Sequence, residues 1–205
     1  MDQDLSLPVV VLVEPNMPNN IGSVARAMLN FGLLDLRIVK PMQGWPQKEA
    51  YTMASGANVV LDKATIFDSL QEAIGDLEYV MATTARKHDV IKNVYFPKEG
   101  VQFLNSKIKT GIVFGREKNG LENDEVALCD AMITIPNNPD FNSLNLSQAV
   151  LLVAYEWFQW DNCAKLEDKI IWRGGFDEER RASREEVLGF LSQFEGRQDN
   201  IEGSH

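Results

Sequence analysis

The chain has 205 residues, 44% of them hydrophobic and 24% charged, which is the size and balance of one globular domain with room for a small appendage. Thirty acidic against 20 basic residues leave a formal charge of -10, so a uniformly basic nucleic-acid coat and a cationic membrane surface are excluded, and any polyanion must meet a local basic patch. The cysteines Cys129 and Cys163 lack CxxC spacing and the only histidines are His88 and His205, so neither a zinc site nor a disulfide framework is expected and a reducing cytoplasm is the default compartment.

In chain order, the amino terminus begins acidic and its apolar run is too short for a signal sequence, so a soluble, unexported protein without a membrane span is expected. Short apolar runs at Val9 to Val13, Leu36 to Val39, Tyr79 to Ala82, Ile112 to Phe114 and Met132 to Ile135 read as strands separated by amphipathic segments. That alternation predicts an α/β fold with a mostly parallel sheet flanked by helices. After the first strand, Glu14-Pro15-Asn16-Met17-Pro18 cannot be helical; Asn19 or Asn20 then caps a helix to about Phe31, which Gly32 stops. Residues 41 to 63, with Pro41, Gly44, Pro46 and Gly56, read as an irregular loop over the carboxyl end of the sheet. Residues 64 to 77 read as helix, 83 to 110 as a polar loop with a short helix, and 121 to 128 as a short helix. The segment Pro136 to Ser143 has two prolines and three asparagines and reads as turns. Asn145 to Trp160 is a helix apolar on nearly every side, which predicts burial against both its own sheet and a second subunit. From Asp161 the composition turns charged, so the organisation expected is a main domain over 1–162 and a short, partly helical extension over 163–205, with a helix at 183–195.

Four segments follow strands, where open α/β sheets bind ligands: Asn19 to Arg26, Ala82 to Arg86, Gly115 to Leu121, and Asn142 to Ser147. No GxGxxG is present, and Gly115 and Gly120 have P-loop spacing without the lysine that an NTPase needs. No GxSxG surrounds Ser143 or Ser147, which sets aside a serine hydrolase. Each segment also has a plain structural reading. Arg26 fits a surface arginine that snorkels or pairs with an acid, Glu117 fits a cap on the turn after its strand, and Asn142 to Asn145 fit a turn and helix cap.

Together, NNIGSVARAMLNFGLLDLRIVKP at 19 to 41, ATTAR at 82 to 86, VFGREKNGLENDE at 113 to 125 and IPNNPDFNSLNLSQAV at 135 to 150 resemble the signature motifs of the SPOUT class of RNA methyltransferases. Within it the chain is similar to the TrmH-like ribose 2'-O-methyltransferases, nearest to the TrmJ type that acts at position 32 of the tRNA anticodon loop. The resemblance covers about residues 8 to 160. It implies a deep carboxyl-terminal trefoil knot, a homodimer whose second subunit completes the site, and S-adenosylmethionine as cofactor with no metal required. It places the cofactor against Thr83, Thr84, Ala85, Gly115, Ile135, Asn142, Ser143 and Leu144. It assigns catalysis to Asn20, Arg26, Glu117, Ser143 and Asn145, with tRNA as partner.

Arg26 is the residue that such a site uses on the 2'-hydroxyl. An arginine is a poor proton acceptor at neutral pH unless strongly perturbed, so two roles stay open: a perturbed base, or a guanidinium that holds the adjacent phosphate and stabilises alkoxide charge. Arg26, Arg86, Lys87, Arg116 and Lys118, with Lys92 beside them, would make the cleft basic within an acidic protein; Arg173, Arg180, Arg181 and Arg184 either extend that patch or form a solvated helix face. Trp157, Phe158 and Trp160 read as packing at the dimer interface. The same chemistry on ribosomal RNA, a non-catalytic RNA- or cofactor-binding homologue, and a generic nucleotide-binding α/β protein are the alternatives.

Overall fold

Seven strands form one sheet: β1 Val9–Val13, β2 Leu36–Val39, β3 Thr65–Phe67, β4 Tyr79–Thr83, β5 Asn93–Tyr95, β6 Thr110–Phe114 and β7 Ala131–Ile133. This is a computed structural model, and it describes residues 7–86, 88–104 and 108–166, together with Ser183, Glu185 and Leu188. Lys87, Arg173, Arg180, Arg181, Arg184 and most of the extension, with the helix expected at 183–195, lie outside the described residues. The chain divides into two compact units after Glu167, and the first holds every element named below.

The strand order is β3-β2-β1-β6-β4-β7-β5, and every pairing is parallel. The apolar runs are continuous because central parallel strands are covered on both faces. Val10 and Leu12 enter one core with Ile38, Ile112 and Ile133, while Val9, Val11 and Val13 enter a second with Val113 and Met132. The first core lies under α1 Pro18–Asn30, α2 Lys48–Ala54, α3 Asn58–Asp62, α5 Pro97–Gly100 and α7 Leu146–Leu166. The second lies under α4 Leu70–Ile74 and α6 Asn123–Ala127.

Helix α1 starts one residue before the asparagines expected to cap it. Met17 occupies the cap position with no side-chain bond, and Pro18 takes the first turn, where its missing N–H costs nothing. The helix ends as expected at Gly32, whose φ of 76° lets its N–H reach the Leu29 carbonyl at 3.2 Å while Leu33 N–H reaches Met28 at 2.9 Å, a Schellman closure. Asn145 caps α7, its Oδ1 accepting from the Ser147 amide at 2.9 Å.

Four expectations about the elements need correction. Residues 41 to 63 are not wholly irregular, because α2 and α3 form there, held by packing: a side chain on Gly22 would stand 2.1 Å from the Ala50 carbonyl oxygen, so α1 and α2 meet backbone to backbone. Residues 64 to 77 are not one helix; Thr65–Phe67 adds an edge strand to β2, and α4 begins only after Ser69, whose hydroxyl caps the Glu72 amide at 3.2 Å. Residues 83 to 110 contain the opposite edge strand, β5, beside β7. The last expected strand ends at Ile133 rather than Ile135.

Helix α7 buries Val150, Val153, Ala154 and Trp157 within the chain itself, so Trp157 belongs to the core rather than to an interface. Phe158 tilts against Phe31 at 5.7 Å. Leu151, Leu152 and Tyr155 on the other side, and Trp160, remain 38 to 44% exposed. Among the described residues, no helix is long and apolar enough to cross a membrane.

Candidate active site

Strands β6, β4 and β7 are neighbours, and the loops leaving their carboxyl ends converge on one cleft of about 340 Å³. Thr83, Thr84, Ala85 and Arg86 come from the loop after β4, and Gly115 to Lys118 from that after β6. Ile135, Asn142, Ser143 and Leu144 come from the segment after β7. All eight residues expected to hold a cofactor line it. Phe114, Gly120, Asn137, Leu146 and Ala149 line it too and were not expected. The spacing of Leu146 and Ala149 on one face of the first turn of α7 was the available signal.

Local chemistry explains the shape of the walls. Arg116 and Gly120 exchange backbone hydrogen bonds at 3.2 and 2.9 Å, closing a tight loop in which Gly120 takes a φ of 65°. A side chain on Gly115 would stand 2.3 Å from the Gly120 carbonyl carbon, so only glycine permits this closure. Asn137 Nδ2 donates to the Asn142 carbonyl at 2.8 Å and pins the third wall. The Thr83 hydroxyl is buried at the cleft without a hydrogen-bond partner among the described residues.

Beside the cleft, Glu117 does not cap its own turn. Its carboxylate accepts the amides of Asn16 at 2.9 Å and Met17 at 3.1 Å and the Asn20 side-chain amide at 2.9 Å, about a hundred residues away in sequence. Asn20 in turn accepts from Asn145 Nδ2 at 3.0 Å. Three of the five expected catalytic residues thus form one relay, Glu117 to Asn20 to Asn145, which ties α1, the loop after β6 and the start of α7 together. Burial raises the Glu117 pKa, but the bonds from Asn20 and the Asn16 and Met17 amides outweigh it and hold the carboxyl below its ordinary value. Ser143 is exposed on the cleft wall, and its hydroxyl makes no hydrogen bond among the described residues.

Arg26 is elsewhere. It is exposed on α1, lines no part of the cleft, and has no ion pair or hydrogen bond among the described residues. The expected basic patch also thins. Arg116 donates to Glu14 at 2.8 Å and bidentately to Glu125 at 3.0 Å, which raises its pKa, so its charge is spent inside the protein and is not available to a phosphate. Lys92 is committed likewise, to the carbonyls of Ala127 and Cys129 at the end of α6. Arg86 and Lys118 remain exposed at the mouth, where Arg86 Nη2 reaches the Lys118 carbonyl at 3.3 Å. Among the described residues, no group of acids, histidines or cysteines is arranged to hold a metal ion.

Open α/β sheets bind small molecules over the carboxyl ends of adjacent strands, and the cleft lies in that place. Residues 8–155 match the model of the SpoU rRNA methylase family, and the chain belongs to that family. A relative from Methanocaldococcus jannaschii, the tRNA (cytidine-2'-O-)-methyltransferase TrmJ, is 44% identical over 151 residues, 72% of this chain and 65% of that protein. The chain therefore spans just under two thirds of that curated relative's length. The crystal structure of TrmJ from Zymomonas mobilis superposes with a TM-score of 0.73 at 42% identity over 96% of this chain and 82% of that one. The methyltransferase AviRb from Streptomyces viridochromogenes, in complex with AdoMet, shares the fold at a TM-score of 0.63 and 21% identity, covering 80% of this chain and 63% of that one.

Proposed function

We propose that this protein transfers a methyl group from S-adenosylmethionine to a ribose 2'-hydroxyl of tRNA, at position 32 of the anticodon loop, and that it works in the cytoplasm as a homodimer. One observation carries this reading: three loops distant in sequence build a single cleft from the residues that the motifs single out, and the Glu117–Asn20–Asn145 relay stands beside it. The names of the archaeal and Zymomonas relatives support the reaction class, and the cofactor named for AviRb supports the ligand.

The cleft fits the cofactor. The buried Thr83 hydroxyl lacks a partner that a polar ligand would supply, and Gly115 leaves its wall open to close approach. Phe114, Ile135, Leu144 and Leu146 offer apolar surface for a planar base. Bound there, S-adenosylmethionine supplies an electrophilic methyl group. Thr83, Thr84, Ala85, Gly115, Ile135, Asn142 and Leu144 bind and orient it, and the work left to the protein is positioning. The free Ser143 hydroxyl accepts a hydrogen bond from the attacking ribose hydroxyl. Asn145 is fixed by Asn20 and caps α7, so the wall that carries Ser143 is held in register.

Arg26 we assign to the cleft of the second subunit. Its exposure on α1, a helix that packs against α7, and the exposure of Leu151, Leu152 and Tyr155 on α7 support a contact between copies that delivers the guanidinium across. There it donates to the phosphate beside the target ribose and stabilises charge on the oxygen. Arg86 and Lys118, and Lys87 by its position in sequence, complete the phosphate contacts.

A trefoil knot is part of the same proposal, and the return of the chain after β7 to set Asn145 against Asn20 supports it. The boundary proposed between the catalytic domain, 1–162, and the extension, 163–205, leaves the whole cleft in the former.

The test is methyl transfer from labelled S-adenosylmethionine to unfractionated tRNA and, separately, to ribosomal RNA, followed by nucleoside analysis. The expected product is a 2'-O-methylnucleoside in tRNA that maps to position 32. Label confined to ribosomal RNA favours the alternative substrate, and cofactor binding without transfer to either favours a non-catalytic homologue.

A further inference from the structure

The loop after β4 is gripped by the segment after β6 at three points. Arg86 reaches the Lys118 carbonyl, His88 Nδ1 faces Asn123 Oδ1 at 2.9 Å, and Lys92 Nζ reaches the Ala127 carbonyl at 3.0 Å. Among the described residues, the His88 side chain also reaches the cleft wall: its Nε2 stands 2.8 Å from Thr84 Oγ1, and that oxygen accepts the Arg86 amide at 3.1 Å. Thr84 is buried, and it lines the cleft between Thr83 and Ala85.

For a neutral imidazole, the donors and acceptors along this chain leave one assignment. Asn123 Oδ1 accepts, so His88 Nδ1 carries the hydrogen and Nε2 accepts from the Thr84 hydroxyl. The Thr84 oxygen is then free to receive the Arg86 amide. A neutral Nδ1–H imidazole therefore locks the rotamer of Thr84 and the turn to Arg86, and it anchors both to the first residue of α6. His88 lines no part of the cleft itself.

We infer that His88 is a positioning residue for cofactor binding: it fixes the Thr84–Ala85–Arg86 wall through Thr84 and does not touch the reacting atoms. This rests on the reading of the cleft as the seat of S-adenosylmethionine. A residue that preorganises a binding wall moves affinity and spares the chemical step, which separates it from a catalytic group.

The experiment uses the full chain, with calorimetric titration of S-adenosylmethionine, methyl transfer to tRNA, and ¹⁵N NMR of the imidazole. His88→Ala is expected to weaken cofactor affinity about tenfold and to leave kcat at saturating cofactor within about twofold, the cost of one buried hydrogen bond lost from the wall. His88→Gln, whose side-chain oxygen can accept from Thr84, should recover affinity to within about threefold of the native protein. The NMR spectrum should show His88 as the Nδ1–H tautomer, displaced by Thr84→Val. Native affinity in His88→Ala, a kcat that falls as far as affinity does, or an Nε2–H tautomer overturns the inference, and the glutamine variant and the native tautomer decide it should the alanine variant not fold. If the native protein takes up no S-adenosylmethionine, the cofactor reading fails instead, and the tautomer, read on the cofactor-free protein, still decides whether the relay exists.

Discussion

The two halves of the sheet use their charged and polar side chains in opposite ways. At the amino-terminal edge of β2, buried Arg37 pairs with Asp76 and Asp35 and stacks over Phe67, and Lys109 joins Asp76. These groups close on one another and offer nothing to a ligand. At the carboxyl ends of β6, β4 and β7, side chains instead bridge loop to loop, Glu117 to α1, Asn145 to Asn20 and His88 to Asn123, and leave Thr83 and Ser143 with hydroxyl capacity facing the cleft. Bonds that satisfy themselves make scaffold, whereas bonds that hold unsatisfied groups in place make a site.

Breaking the second kind should cost function most. Glu117→Ala strands two amides and the Asn20 side chain; methyl transfer is expected to fall about a hundredfold or more, with about 1–3 kcal/mol of stability lost, measured by single-turnover kinetics and urea unfolding. Glu117→Gln keeps one acceptor oxygen and should lie between. Gly115→Ala forces a methyl group into the Gly120 backbone, and about tenfold or greater loss of cofactor affinity is expected by titration. Leu152→Glu places a charge on the uncovered side of α7 and should shift the particle to half its mass by light scattering if that side joins two copies.

The scaffold should break differently. Asp76→Ala leaves Arg37 buried without its main partner; with Asp76 itself about half exposed, a loss of about 1–2 kcal/mol is expected in urea unfolding, at unchanged cofactor affinity. The Arg37 hydrogen bond, stronger than the opposing burial, holds the Asp76 carboxyl far below the usual carboxylate range. Because the folded value is depressed, its contribution is complete above the ordinary carboxylate pKa and is lost as pH falls through the depressed one. Glu117 follows the same sign, so both halves should weaken together in acid while neither group titrates near neutrality.

Much of this was legible in the sequence where burial acts on both faces of an element. Val9 to Val13 is apolar at every position because two cores cover it, and Gly32 and Asn145 end and begin helices by local chemistry alone. Edge strands escaped: Thr65–Phe67 and Asn93–Tyr95 are three residues long and half exposed, too short for a period of two to show. Helices α2 and α3 escaped because they are only seven and five residues long and follow Pro41, Gly44 and Pro46, too short for a helical period to show. In the site, the motifs pointed to the cleft residues but not to how charge is spent. Nothing near Arg116 in sequence announces that Glu14, 102 residues earlier, will take its guanidinium, nor that Arg26 will lie outside the cleft.

The convergence of the three loops is tested most directly by a crystal structure of the full chain grown with S-adenosylmethionine. The expected result is the cofactor seated between Thr83–Ala85, Gly115 and Asn142–Leu144, with the Thr83 hydroxyl engaged and Arg26 of the second copy facing it. A cofactor bound at any other place, or a cleft left empty at saturating concentration, would contradict it.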